Sequence, residues 1–308
     1  MRLRIATICA WLLLTLSAVA QTYNRGTVVR NANIYISPDS NSSRLGDVGR
    51  GREVIILETT RNWMRVQANV TEERTIGGWL LSKGVITAST PDGDKIIYGE
   101  AVDSEDQGSR RRGRRGAAQD AMRLYYRLYE IFPNSPLAGE SLYRAADIRW
   151  QLDREDIMTK PSAKEQDAFL RGEIEERWMK EVMKKFPGSK WADLASFHLL
   201  DNKMCGDWQG VSKCPEKEAG IYEKYANEHP QSAKAAEALY DAAWRYSALI
   251  EIYKTEDNQK KSEESKARAS ALAQKIASQF PQTDWGARAQ RLLYLVQQGI
   301  PTYGNVEE

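Results

Sequence analysis

Apolar positions along the chain change their period twice. From 24 to 90 they come in short β-branched runs broken by Gly, Asn, Ser and Pro: Gly26-Thr27-Val28-Val29-Arg30, Ala32-Asn33-Ile34-Tyr35-Ile36, Glu53-Val54-Ile55-Ile56-Leu57, Trp63-Met64-Arg65-Val66 and Gly78-Trp79-Leu80. Runs of that length and spacing predict the strands of a small all-β unit over 24–90. Within it, 67–76 reads as a charged hairpin loop. From 86 to 118 no period is visible, and Asp92, Asp94, Glu100, Asp103, Glu105 and Asp106 are followed by Arg110-Arg111-Arg112-Gly113-Arg114-Arg115. That polyampholyte composition predicts a charged flexible linker over 91–116. Beyond it apolar residues return at helical spacing, predicting helices over 117–131, 136–152, 163–186, 191–204, 216–228, 233–253, 260–279 and 285–298, with a polar loop over 153–162. Residues 300–308 read as a C-terminal tail.

The helical part repeats. Phe132-Pro133-Asn134-Ser135 returns as Phe186-Pro187-Gly188-Ser189, His229-Pro230-Gln231-Ser232 and Phe280-Pro281-Gln282-Thr283. Each copy carries a small residue five after the proline (Ala138, Ala192, Ala235, Gly286) and another eight after it (Ser141, Ala195, Ala238, Ala289). Proline stops one helix, because it cannot donate to the ladder and disfavours helical geometry in the residue before it. The hydroxyl two residues later is placed to cap the next helix. Small residues three apart share a helix face and admit a close neighbour, so that face predicts a helix-helix seam. Tyr143, Phe197 and Tyr240 follow ten after the proline; Arg291 breaks the pattern in the last copy, where no further helix need cover it.

The prolines are 54, 43 and 51 residues apart. A standard tetratricopeptide repeat is about 34 residues long, so the excess implies long helices or inserts. With that allowance, 117–299 resembles the tetratricopeptide repeat family, in particular the periplasmic kind found in outer-membrane assembly lipoproteins and the Tol-Pal-associated cell-division coordinator. The resemblance implies an all-α solenoid that holds a protein partner in the bacterial cell envelope.

The first unit carries a second resemblance. Ser37-Pro38-Asp39, Leu45-Gly46, Arg50-Gly51-Arg52-Glu53-Val54, Trp63 to Val66 and Gly77-Gly78-Trp79 are similar to the pattern of bacterial SH3 domains, which implies an SH3-like barrel over 24–90. Family members commonly carry Asn-Val-Arg-x-Gly-Pro where this chain has Ile34-Tyr35-Ile36-Ser37-Pro38, without the Arg and Gly. Tyr35, Trp63 and Trp79 are the candidate ligand contacts. Two readings stand: aromatics that pack a small fold, or a groove for an extended peptide, peptidoglycan included.

Arg2 and Arg4 precede an apolar run from Ile5 to Leu16, and Ala18-Val19-Ala20 fits a small-residue cleavage site, so 1–20 reads as a signal peptide. The mature chain is then expected in the periplasm or outside the cell, with no transmembrane segment. The whole sequence has 44 Lys and Arg against 42 Asp and Glu; without the leader the two balance, which gives a nucleic-acid partner no support. The Arg110 to Arg115 cluster reads either as a contact for anionic lipid or another polyanion, or as a run neutralised by the acids upstream.

Cys205 and Cys214 flank a Gly-containing loop, and in an oxidising compartment that spacing predicts a disulfide rather than a redox pair or a zinc site. His198 and His229 are the two histidines of the chain, and neither has a Ser or Cys near it in sequence that marks a nucleophile. No Gly-rich phosphate loop and no His-Glu-x-x-His motif occur. Paired acids such as Glu175-Glu176 sit in charge-rich stretches, where a solvated face explains them. The sequence therefore reads as a multidomain, non-enzymatic scaffold with no cofactor and no metal: an SH3-like β-barrel followed by a repeat solenoid. Peptidoglycan binding through the barrel is the alternative.

Overall fold

The computed structural model describes residues 24–71 and 73–304; the expected leader and residues 305–308 lie outside the described residues. Seven strands come first: β1 (Asn24–Val28), β2 (Ala32–Tyr35), β3 (Arg44–Val48), β4 (Glu53–Thr60), β5 (Trp63–Asn69), β6 (Thr75–Leu81) and β7 (Val85–Thr87). They form one sheet in the order β3-β2-β6-β5-β4-β1-β7, with every pairing antiparallel. Strict alternation turns Ile34, Val54, Val66, Ala68 and Leu80 to one side, where they are fully buried. The expected charged loop over 67–76 is shorter than the composition suggested. Gln67, Ala68 and Asn69 extend β5, and the turn closes where Val70 N–H donates to Arg74 O at 2.9 Å. Ala68 is an inward position too small to register as an apolar signal.

Ten α-helices follow among the described residues: α1 (Gly93–Ser109), α2 (Ala117–Ile131), α3 (Ala138–Met158), α4 (Ala168–Arg171), α5 (Arg177–Lys185), α6 (Lys190–His198), α7 (Lys213–Glu228), α8 (Ala235–Thr255), α9 (Gln259–Gln279) and α10 (Asp284–Gln298). The architecture is β then α. The expected flexible linker over 91–116 is corrected by α1, which occupies most of it. Gly93, Ile97, Ala101, Ser104 and Gly108 make a stripe of mostly small residues, and a Cβ on Gly108 would come within 2.9 Å of the Ala118 amide nitrogen. The acids around the stripe find partners elsewhere: Glu100 pairs with Arg30 at 2.7 Å, and Glu105 with Arg144 at 3.1 Å. Val29, just after β1, and Ile86 of β7 share a core with Ile97, Ala101, Leu124, Tyr125 and Leu128. The sheet therefore docks on α1 and α2.

The four proline turns share one geometry. Each pre-proline residue leaves the helix at φ between −125° and −128° while its amide still donates four residues back: Phe132 to Leu128 (2.8 Å), Phe186 to Val182 (2.9 Å), His229 to Tyr225 (2.9 Å) and Phe280 to Ile276 (2.8 Å). The Ser or Thr amide then donates to that residue's carbonyl at 3.0 to 3.3 Å. Ser189 and Thr283 accept from the Ala192 and Gly286 amides as N-caps. Ser135 and Ser232 differ: each accepts from the amide two residues on, and they bond Asp94 and Tyr225 respectively. All eight small positions, from Ala138 to Ala289, are buried. Consecutive helices pair across these turns as hairpins, α2 with α3, α5 with α6, α7 with α8 and α9 with α10.

One expectation about the array is corrected. Residues 163–186 are not one helix: a 3₁₀ turn over Pro161–Lys164 and the short α4 precede α5, and Gly172 at φ 93° breaks the chain between α4 and α5. Arg171 anchors this segment by donating to the carbonyls of Glu165, Gln166 and Met204, although composition alone would place it on a helix surface. Within the expected C-terminal tail the described residues pack back on the array: Tyr303 lies 5.3 Å from the Trp208 ring, and Thr302 bonds Ser247 at 2.7 Å. Among the described residues, no helix is long and apolar enough to cross a membrane.

Candidate functional site

Alternation in the strands places the three candidate aromatics together on the sheet face opposite its buried core. Tyr35 of β2 stands directly across from Trp79 of β6, and Trp79 across from Arg65 of β5. Trp63, two residues before Arg65, meets Tyr35 edge to face, with ring centroids 5.7 Å apart and planes at 88°. Gly78 lets β2 close on β6, since a Cβ there would lie 2.7 Å from the Tyr35 carbonyl oxygen. Tyr35, Trp63 and Trp79 are all half-buried. Ile36 is 62% exposed and Leu81 44% exposed in the same part of the sheet. Asn33 donates to the Tyr35 hydroxyl at 3.3 Å. The result is an aromatic ledge able to stack on an apolar or peptide surface; it holds no nucleophile.

The helical hairpins bring together residues that the sequence keeps apart. His198 of α6 reaches α3, with Nε2 3.2 Å from both the Tyr143 hydroxyl and Asp147 Oδ1. Burial lowers the His198 pKa against the pull of Asp147 and Asp201. His229, in the third proline turn, sits against α6: Nδ1 is 2.8 Å from Asp193 Oδ1 and Nε2 is 3.3 Å from Ser196 Oγ. Sequence reasoning missed this trio because Asp193 and Ser196 lie more than thirty residues before the histidine. The spacing of Asp193 and Ser196 on one helix face was the available signal. A Ser-His-Asp relay needs a hydroxyl free to pass its proton to the imidazole and preorganised donors for an oxyanion. Ser196 instead donates to the Asp193 carbonyl at 2.8 Å, within a helix whose amides serve its own ladder. The trio clamps one hairpin to the next.

Cys205 and Cys214 form a disulfide, with Cα atoms 6.0 Å apart. Beside it Glu218, 1% exposed, is fully engaged: it accepts from the Cys205 amide (2.8 Å), Trp208 Nε1 (3.2 Å) and Arg245 Nε (2.7 Å). This buried carboxylate ties the disulfide loop to α7 and α8. Trp208 packs against Trp244 and Tyr303 in the same cluster.

The Arg cluster lies in the turn between α1 and α2. Arg110 pairs with Asp106 and Arg114 with Asp120, while Arg111, Arg112 and Arg115 are exposed without an ion pair among the described residues. Among the described residues no group of three His, Cys, Asp or Glu is arranged to hold a metal ion. No family model and no curated protein matches the chain.

Proposed function

We propose that the protein is an exported, non-enzymatic adaptor of the bacterial cell envelope, in which a tetratricopeptide-like solenoid holds a protein partner and an SH3-like barrel is fixed to its first hairpin. The observation that carries this reading is the fourfold recurrence of one turn geometry with a buried small-residue seam behind each turn. A chain that spends its small residues on stacking helical hairpins builds an extended surface, and such surfaces serve recognition. Export is supported by the leader-like sequence over 1–20 and by a disulfide that persists in oxidising compartments. The test is affinity capture on the purified mature chain from envelope extract, with a variant carrying Ala238→Leu to disorder the seam. A partner retained by the wild type and lost with the variant supports the adaptor. Equal capture by both removes the solenoid from the function.

The aromatic ledge favours a second reading, a peptidoglycan-binding protein acting through Tyr35, Trp63 and Trp79. It predicts that the mature chain pellets with purified sacculi in moderate salt and that Tyr35→Ala stays in the supernatant with an unchanged circular-dichroism spectrum. Sedimentation that survives Tyr35→Ala removes the ledge from wall binding.

A further inference from the structure

The two places where the helical array departs from its hairpin pattern meet each other. The segment between α3 and α5 and the segment between α6 and α7 are joined by Gly206 N–H to Gln166 O (3.1 Å), Asp207 N–H to Lys164 O (3.2 Å), Arg171 to Met204 O (2.8 Å) and Asn202 to Ile174 O (2.9 Å). Gly206 is required there, because a Cβ would fall 2.1 Å from the Glu165 carbonyl oxygen. Between them lies a cavity of about 510 Å³, with the disulfide half-cystine Cys205 in its wall. Sequence-distant inserts that bond each other around a cavity are a built feature, not slack between repeats.

The chemistry of the lining is asymmetric. Arg154, Lys164 and Arg171 face the cavity, and none is paired with a carboxylate: Arg171 is held by three carbonyls, and the Arg154 and Lys164 side chains have no hydrogen bond or ion pair among the described residues. Arg245 also lines it but is neutralised by Glu218 at 2.7 Å. The two carboxylates in the lining already accept from donors of their own, Asp201 from Trp150 Nε1 and Asp207 from the Gln209 amide. The charges of Arg154, Lys164 and Arg171 against those of Asp201 and Asp207 leave one positive charge uncompensated. Tyr222 is 8% exposed, and its hydroxyl has no hydrogen-bond partner among the described residues. The hydroxyl itself is open rather than sealed in the core, so it is free to donate to a group in the cavity. Ile157, Met158 and Ile174 supply an apolar remainder.

We propose that this cavity binds an organic anion, a single carboxylate carried on an apolar body. The carboxylate balances the uncompensated charge and accepts from Arg154, Lys164 and the Tyr222 hydroxyl. The body lies on the apolar wall. The inference is independent of the adaptor reading.

The test is calorimetric titration of the mature, oxidised protein with octanoate, octan-1-ol and inorganic phosphate in parallel. Octanoate is expected to bind at one per chain, octan-1-ol about tenfold more weakly, as loss of charge-assisted bonds dictates, and phosphate more weakly than octanoate. The double variant Arg154→Gln/Lys164→Gln, at exposed positions outside the core, should lower octanoate affinity about tenfold while leaving octan-1-ol and the melting temperature unchanged. Tyr222→Phe, which keeps the ring, should weaken octanoate several-fold and serves if the double variant does not fold. Equal affinity for octan-1-ol, tighter binding of phosphate, unchanged octanoate affinity in the variants, or no octanoate binding at millimolar concentration each overturns the proposal.

Discussion

Ile97→Ala is the sharpest perturbation of the way the sheet is joined to the helices. Ile97 is fully buried between Val29 and Ile86 on the sheet side and the α2 residues Leu124 and Leu128. Its neighbour Ile96 is 41% exposed on the same helix. Truncating Ile97 removes three carbons from a close-packed site, about 2.4 kcal/mol at ~0.8 kcal/mol for each, and the cavity left behind raises the total to about 3–4 kcal/mol. For a chain of this size that corresponds to a fall in Tm of roughly 5–7 °C. Ile96→Ala should cost about 0.5 kcal/mol or less, since its side chain keeps much of its exposure in both states. The assay is urea unfolding followed by tryptophan fluorescence and far-UV circular dichroism together, because a shared core predicts that both probes move by the same amount. A loss below about 1 kcal/mol for Ile97→Ala, or equal losses for both isoleucines, would refute the packing of α1 and restore a flexible connection.

Three further outcomes follow from named side chains. Burial pushes the Asp241 carboxyl up to about 6, against the pull of Arg245 3.8 Å away. The folded state thus holds this proton more tightly than the unfolded chain, so the site's contribution is fully present below about pH 4 and is lost as pH rises to about 6. Asp241→Asn should therefore be nearly neutral at pH 4 and stabilising by about 1–3 kcal/mol above pH 6, read from urea midpoints at the two pH values; a larger gain at pH 4 than at pH 7 would contradict the sign. Replacing Cys205 and Cys214 by Ser opens a loop of about ten residues and should cost about 2.5–3 kcal/mol in the chain-entropy model, with the Trp208 emission shifting red as its cluster loosens; an unchanged melt and spectrum would show the loop to be held by Glu218 alone. Ser189→Ala removes a true N-cap and should cost about 1 kcal/mol by thermal melting, and Ser189→Thr should restore most of it.

What could be read from the sequence follows from which side chains announce themselves. The proline turns were legible because proline, the flanking aromatic and the capping hydroxyl each act locally, and the buried seam from Ala138 to Ala289 repeats at fixed offsets. The β then α order was legible from the switch of period near 90. α1 was hidden because its packing face is Gly93, Ala101, Ser104 and Gly108 around a single large residue, Ile97, so a charged composition masked a close helix contact. The break before α5 was hidden because it depends on carbonyls gathered by Arg171, a tertiary arrangement with no local signature. Tyr35, Trp63 and Trp79 were found by resemblance, and strand register places them on one face. The meeting of His229 with Asp193 and Ser196, and the cavity beside the disulfide, both require knowing which hairpins stack.

On the proposed adaptor function the helical array, not the sheet, holds the partner protein. The most direct measurement is in-cell photo-crosslinking with a benzophenone amino acid placed at Phe169, at Tyr294 and, on the sheet, at Leu57, which are 79%, 58% and 43% exposed. One common protein adduct is expected from the positions in the helical array and none from Leu57. Adducts from Leu57 alone, or to peptidoglycan rather than protein, would contradict it.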